Sequence, residues 1–246
     1  STVTELWNGT NWTEVNDMNT AGDGLAGAGT STSALGIGGQ APSISAKTEL
    51  WNGTNWAEQN DLGTARFSAA GIGISTSALA AGGSTPPASA VVEEWIGPGQ
   101  PVGSWASINS VNTARQLPMS AGTTTAGLMA GGSAPPYGSL TELYNGTNWT
   151  EVNNMGTARS AGAGSGLTNT AALVFAGWEG SASVKTESFN GTNWTELNDM
   201  STGRTTLGGG GTNTSALAFG GNVPPSTGKT ELWNGTNWTE VNDLNT

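Results

Sequence analysis

The chain has 246 residues, a formal net charge of −11, 39 glycines, 11 tryptophans and neither cysteine nor histidine. Charged residues make up 10% of it, against about 25% in an average soluble domain, and only seven are lysine or arginine. This composition argues against nucleic-acid binding, a disulfide framework, and histidine-based catalysis or metal binding, while the tryptophans argue against disorder.

A motif recurs along the chain, and its first copy, TELWNGTNWTEVNDM, begins at Thr4. Further copies begin near residues 48, 92, 141, 186 and 230, and the copy at 92 is degenerate, with a longer loop between Ile96 and Ser104. The first aromatic residue of each copy is Trp7, Trp51, Trp95, Tyr144, Phe189 or Trp233, at spacings of 44, 44, 49, 45 and 44 residues. The motif contains two short strand patterns, named c and d, around an Asn-Gly pair that is typical of a type I′ hairpin turn.

A second motif of glycine, alanine and aliphatic residues lies between these copies, for example ARFSAAGIGISTSALAAGG from Ala65. It contains two more strand patterns, named a and b, around a polar turn, and it is too rich in glycine for helices. Four short antiparallel strands in every 44 to 49 residues is the period of a β-propeller blade. Strand a is predicted nearest the axis, because its small residues suit the place where blades crowd together.

The sequence therefore predicts an all-β, single-domain chain over residues 1–246, a β-propeller of four-stranded antiparallel blades. There are five a–b pairs but six c–d pairs, so one c–d hairpin is in excess. We expect five blades closed by mixing strands from the N- and C-terminal ends, in a chain that is a slice of a longer repeat array. On that reading one terminal hairpin is redundant, and deletion of either residues 1–17 or residues 230–246 alone is expected to be tolerated.

The order of elements resembles the Kelch repeat. An arginine precedes strand a, a Gly-Gly pair ends strand b (38–39, 82–83, 131–132 and 220–221), and aromatic residues follow in strands c and d. Gly22 stands where the first arginine would be, and Ala176-Gly177 replaces one Gly pair. The resemblance covers nearly the whole chain and implies a propeller that usually binds protein partners, without implying a common activity.

Six residues are candidates for a binding site, and all are predicted on one rim. The arginines are either donors for an anionic ligand or partners of the strand c glutamates; they are Arg66, Arg115, Arg159 and Arg204. The b–c loops differ most between copies, and they carry the singular aromatic residues Tyr137 and Trp178. In an up-and-down meander, the b–c loops and the arginine-bearing d–a connections leave the same face, where loops on a rigid scaffold commonly bind partners.

We expect no catalytic residue, no cofactor and no metal site. The strand c glutamates recur once per repeat, as scaffold residues do: Glu5, Glu49, Glu142, Glu187 and Glu231. The Asn-Asp pairs that end strand d match calcium ligands by residue type, but turn and cap chemistry is the better explanation (16–17, 60–61, 198–199 and 242–243). No run of 18 apolar residues and no basic leader is present, so neither a transmembrane helix nor a signal peptide is expected.

The predicted function is a non-catalytic binding or structural module that engages a protein or glycan through the b–c and d–a rim, without nucleic acid or membrane insertion. Near-identical copies indicate recent duplication, which favours a phage or bacterial-surface repeat protein in an extracellular or virion-associated location. One alternative is a multivalent propeller lectin with aromatic sugar pockets between blades. Another is a designed or reconstructed symmetric propeller without a natural function.

Overall fold

The computed structural model describes residues 1–40, 42–97, 103–133 and 138–245. These residues form 22 strands and no helix, so none of the described segments is a helix able to span a membrane. Twenty of the strands form five antiparallel sheets of four strands each, which are the blades of a propeller, and the other two form a separate hairpin. The predicted all-β fold with five four-stranded blades is confirmed.

The strands follow one another in chain order within every blade. The N-terminal hairpin comprises β1 (Thr4–Trp7) and β2 (Trp12–Val15). Blade 1 comprises β3 (Ala26–Thr30), β4 (Ser33–Ile37), β5 (Thr48–Trp51) and β6 (Trp56–Glu58). Blade 2 comprises β7 (Ala70–Ile74), β8 (Ser77–Ala81), β9 (Val92–Ile96) and β10 (Ser104–Ile108). Blade 3 comprises β11 (Met119–Thr123), β12 (Ala126–Ala130), β13 (Thr141–Tyr144) and β14 (Trp149–Val152). Blade 4 comprises β15 (Ala163–Thr168), β16 (Ala171–Phe175), β17 (Thr186–Phe189) and β18 (Trp194–Glu196). Blade 5 comprises β19 (Gly208–Gly211), β20 (Ala216–Phe219), β21 (Thr230–Trp233) and β22 (Trp238–Val241).

The innermost strands are the a strands, which pack against one another in the order β3, β7, β11, β15 and β19. A Cβ atom added to Gly71 would lie 2.2 Å from the backbone oxygen of Gly27 in the preceding blade. A Cβ atom at Gly164 would lie 2.3 Å from the oxygen of Ser120. Only glycine permits this approach of two backbones, and the prediction that strand a lies nearest the axis is confirmed.

The hydrophobic core of the described residues is divided into four clusters, one between each pair of successive blades. Leu35 and Ile37 of blade 1, for example, pack with Trp95 of blade 2. Burying side chains of this size stabilises the fold by about 1.5–3 kcal/mol each. The blades are therefore held together by their faces, and the backbone ladders run within each blade.

The N-terminal hairpin does not belong to any of the five blades. Blade 5 is complete over Gly208–Val241, so the expectation that one blade mixes strands from both ends of the chain is wrong. The hairpin instead lies between blade 5 and blade 1. The indole Nε1 of Trp12 donates to Thr230 Oγ1 (3.0 Å), and Trp56 Nε1 donates to Thr4 Oγ1 (3.0 Å).

The same tryptophan-to-threonine bond joins strand d of one blade to strand c of the blade before it. It is made by Trp105 with Thr48, Trp194 with Thr141, and Trp238 with Thr186, at 2.9, 3.1 and 2.9 Å. The hairpin therefore stands in the outer half of a sixth blade position, for which the described residues supply no inner strands.

The Asn-Gly turns are longer than a type I′ turn, and that prediction is wrong. Trp7 pairs with Trp12 across the first hairpin, which leaves four residues in the loop. The side-chain oxygen Asn8 Oδ1 accepts the backbone N–H groups of Thr10 (2.9 Å) and Asn11 (2.8 Å), and the positive φ falls on Gly9 (98°). A type I′ turn needs positive φ at both central residues, but here the asparagine side chain organises the turn instead.

Candidate functional site

The four arginines predicted to line the rim are buried inside the blades, at 0 to 2% exposure. Each forms an ion pair with the strand c glutamate of its own blade: Arg66 with Glu93 (2.5 Å), Arg115 with Glu142 (3.0 Å), Arg159 with Glu187 (2.5 Å) and Arg204 with Glu231 (2.9 Å). A ligand at the surface cannot reach these guanidinium groups. The donor-ring hypothesis is wrong, and the alternative of glutamate pairing is confirmed.

Arg66 illustrates what these arginines do. Its Nη1 donates to the backbone oxygens of Gly82 (3.1 Å) and Val91 (2.7 Å), and its Nη2 donates to Glu93. Burial lowers the pKa of Arg66, and the attraction of Glu93 opposes that shift. The side chain ties the start of strand a to the end of strand b and to strand c, so its role is to hold the blade together.

Blade 1 lacks this arginine because Gly22 occupies its place. A cavity of about 10 Å³ remains there, lined by residues that include Gly38, Lys47 and Glu49. That volume is about enough for one water molecule. Glu49 is 2% exposed, and its carboxylate accepts the N–H groups of Asn19 (2.8 Å) and Thr20 (2.8 Å). Blade 1 thus keeps the buried carboxylate of the repeat without the guanidinium that accompanies it elsewhere.

A funnel opens on the rim where the d–a connections meet the b–c loops. Phe67 and Ser84 exchange backbone hydrogen bonds (3.2 and 2.8 Å), which confirms that the two kinds of loop share this rim. The funnel has a volume of about 740 Å³, within the range of ligand pockets. All five d–a connections line it, through Asp23, Phe67, Leu117, Ala161 and Thr206 among others.

A chain of backbone hydrogen bonds runs around the funnel, which we name the rim chain: Gly24, Ser68, Leu117, Ala161 and Thr206. Each residue after Gly24 donates its N–H to the backbone oxygen of the one before it, at 2.7, 2.8, 2.9 and 2.7 Å. All five have left-handed backbones with φ between 51° and 60°. Four are not glycine, and such strain of about 1–3 kcal/mol per residue is typical of functional sites. Sequence reasoning missed these residues, because serine, leucine, alanine and threonine give no signal of positive φ.

Of the two singular aromatic residues, Tyr137 lies outside the described residues. Trp178 is 45% exposed, and its backbone exchanges hydrogen bonds with Ser160 (2.6 and 3.1 Å), next to Ala161 of the rim chain. Trp178 is therefore an exposed aromatic side chain on the rim formed by the b–c loops and d–a connections, as predicted.

The other repeated motifs hold the blades in place. The strand c aromatic residues of the five blades are at most 4% exposed. The asparagine that ends strand d bonds the next c–d loop, as Asn16 Nδ2 does with Asn55 Oδ1 (2.8 Å). Within the part of the chain that the structure describes, no group of three or more ligating side chains is placed to hold a metal.

Comparison with known proteins supports the fold alone. No protein-family profile matches the chain, and no curated protein matches it. Among solved structures, that of YjhT matches with a TM-score of 0.74 at 13% sequence identity, over 93% of this chain and 86% of that chain. This likeness agrees with the propeller architecture, whereas the Kelch resemblance rests on the sequence pattern.

Proposed function

We propose that this chain is a non-catalytic binding module whose partner is a protein segment seated in the rim funnel. The observation that carries the proposal is the funnel itself, where five different d–a connections converge on a rigid scaffold. Its wall combines apolar side chains such as Phe67 and Leu117 with the carboxylate of Asp23. A loop with an apolar tip and a neighbouring lysine or arginine suits that wall, and the net charge of −11 favours the approach of a cationic partner.

The bonding of the repeated carboxylates supports a non-catalytic role. Glu93, Glu142, Glu187 and Glu231 are at most 2% exposed, and each is bound by an arginine. A carboxylate fixed in this way inside a blade does not reach a substrate, and general acid or base catalysis requires such reach.

Peptide display provides a direct test. Peptides selected against the intact chain are measured against a Phe67→Ser, Leu117→Asn variant, in which asparagine tolerates the left-handed backbone of residue 117. We expect affinity to fall at least about tenfold. The matched control is Leu167→Asn, since Leu167 is 67% exposed and lies at the end of strand a remote from the funnel. Equal loss in both variants, or no loss in the funnel variant, would contradict the proposal.

The lectin alternative is tested with the same funnel variant. A glycan array probed with the intact chain would favour it if a sugar binds and Phe67→Ser, Leu117→Asn leaves that binding unchanged. An origin on a virion or bacterial surface remains a prediction, checked by localising the protein with an antibody on particles and cells.

A further inference from the structure

In every blade, strand b covers the inner edge of strand c, but the inner edge of β1 in the N-terminal hairpin has no such neighbour among the described residues. Among the described residues β1 pairs with β2 alone, whereas each strand c of the five blades also pairs with a strand b, as β5 does with β4. Thr4 and Glu5 are accordingly half-buried, while the corresponding Thr48 and Glu49 are 0% and 2% exposed. An uncovered edge offers backbone donors and acceptors to another strand. We name the space bounded by β1, blade 5 and blade 1 the open slot.

Blade 5 supplies an apolar wall to the open slot. Ala216 and Ala218 of β20 belong to the buried cluster shared with blade 4. Because side chains alternate along a strand, Leu217 and Phe219 face the other way, into the slot, and both are only partly buried. Their counterparts in blade 4, Leu173 and Phe175, are 0% exposed because blade 5 covers them.

The inner part of the slot is lined by glycine on both sides. A Cβ atom added to Gly210 in β19 would meet no atom within 4 Å, so open space lies beside it. On the blade 1 side, Gly27 and Gly29 of β3 are exposed. The rim chain also ends at this place, with Thr206 on blade 5 and Gly24 on blade 1. The positions left open among the described residues are therefore those of strands a and b of a sixth blade.

We propose that the open slot binds a strand a–strand b hairpin of this repeat's own type, supplied from outside residues 1–246, which would complete a sixth blade. The outer contacts fix β1 where a strand c stands in every blade, so the incoming strand b has its usual edge to pair with. The slot also selects residue types. An incoming strand a must carry glycine where it crosses the neighbouring backbone, as Gly71 does against Gly27, and strand b must cover Leu217 and Phe219.

Residues 65–88 of this chain have that pattern and serve as the probe. A labelled synthetic peptide of this sequence is titrated into the intact chain, and amide hydrogen exchange is measured with and without it. We expect a dissociation constant on the order of 10–100 µM, since the peptide orders on binding, together with new protection of the β1 amides. The funnel amides remote from the slot, those of Leu117 and Ala161, should not change, so the result is independent of the proposed function.

Two matched pairs of variants define specificity. Gly210→Trp is expected to fill the slot and weaken peptide binding at least about tenfold, whereas Gly210→Ala should bind as the parent does. In the peptide, Gly71→Val keeps strand propensity but places a side chain against the neighbouring backbone, and it should abolish binding.

A fused chain provides a second readout if the peptide aggregates. Residues 65–88 appended after residue 246 should raise the thermal midpoint by about 5 °C or more, and the same fusion with Gly71→Val should not. Absence of both peptide binding and this rise would overturn the proposal, and so would binding that Gly210→Trp leaves intact. Concentration-dependent dimers with protected β1 amides and no peptide would also overturn it, by showing that a second copy covers the edge.

Discussion

Replacing Gly22 with arginine is expected to complete the blade that lacks its buried ion pair. In blade 5, Arg204 Nη1 donates to the oxygens of Gly220 (3.1 Å) and Lys229, and Nη2 binds Glu231. Blade 1 has the corresponding carboxylate at Glu49, in a cavity lined by Gly38 and Lys47. The backbone of Gly22 is outside the left-handed region, and an added Cβ would lie 3.5 Å from Leu25 Cδ1, an ordinary contact.

The expected change in the free energy of unfolding combines two stabilising effects and one destabilising effect. Loss of one member of a buried ion pair costs about 3–5 kcal/mol, and a new guanidinium would relieve part of that cost at Glu49. The cavity holds only about 10 Å³, so Met18 and Leu25 must shift, and overpacking costs about 1–3 kcal/mol. Removing a glycine from the unfolded chain adds about 0.4–1 kcal/mol. The expected gain in the free energy of unfolding is about 2 kcal/mol, which raises the thermal midpoint by about 4–8 °C.

Urea denaturation followed by tryptophan fluorescence measures this gain. Gly22→Ala is the matched control, because it changes the unfolded chain without adding a guanidinium, and it should gain about 0.4–1 kcal/mol at most. Combining Gly22→Arg with Glu49→Gln should remove the ion-pair part of the gain. The reasoning is refuted if the arginine variant is no more stable than the alanine variant, or if its gain survives in the Glu49→Gln background.

Three further predictions concern the contacts between and within blades. Trp149 Nε1 is buried without a hydrogen-bond partner, because residue 92 is valine where the other copies have threonine. Val92→Thr should therefore raise the free energy of unfolding by about 0.5–1.5 kcal/mol, measured from the urea midpoint. An unchanged midpoint would contradict this prediction. Gly146 has φ of 91°, and Gly146→Val should cost about 1–2 kcal/mol in the same assay, whereas a neutral effect would mean that the turn relaxes without strain. Deleting residues 1–17 removes the bonds of Trp12 to blade 5 and of Thr4 to blade 1, so it should lower the thermal midpoint by about 5 °C or more in calorimetry. A midpoint equal to the parent's would mean that this hairpin is redundant, as the sequence suggested.

Local patterns predicted the blades correctly because a blade is built from local contacts. The period of the repeat, the short strand patterns and the turn signals all concern residues close together in the chain, and the small residues of strand a match the packing at the axis. The turn type was wrong for an equally local reason. Asn8 Oδ1 takes the N–H groups of Thr10 and Asn11, and residue types alone do not tell whether an asparagine acts through its backbone or its side chain.

The candidate site was harder to predict because it depends on contacts between distant residues. Arg66 and Glu93 lie far apart in sequence, so the residue types left open whether the arginine binds an anionic ligand or a strand c glutamate, and only the fold shows that both side chains are buried together. The rim chain gave no sequence signal beyond Gly24. Only the variable loops led to the correct rim, and Trp178 is the candidate there that the described structure leaves exposed.

The way in which the ring closes explains why counting hairpins led to the wrong arrangement. Six outer hairpins and five inner ones suggested that one outer hairpin had no place, but each outer hairpin carries its own contacts to both neighbours. Trp12 bonds Thr230, and Asn242 Nδ2 bonds Asn11 Oδ1 (2.7 Å), as the equivalent side chains do between complete blades. These outer contacts join the hairpin to both neighbouring blades without inner strands, so an outer hairpin alone occupies a blade position. The missing arginine at residue 22 lies in the connection that leaves this hairpin, so two departures from the repeat fall at the same junction of the ring. Local opening of the ring is therefore expected to begin there, where β1 lacks a second neighbour in the described chain and Glu49 lacks its guanidinium.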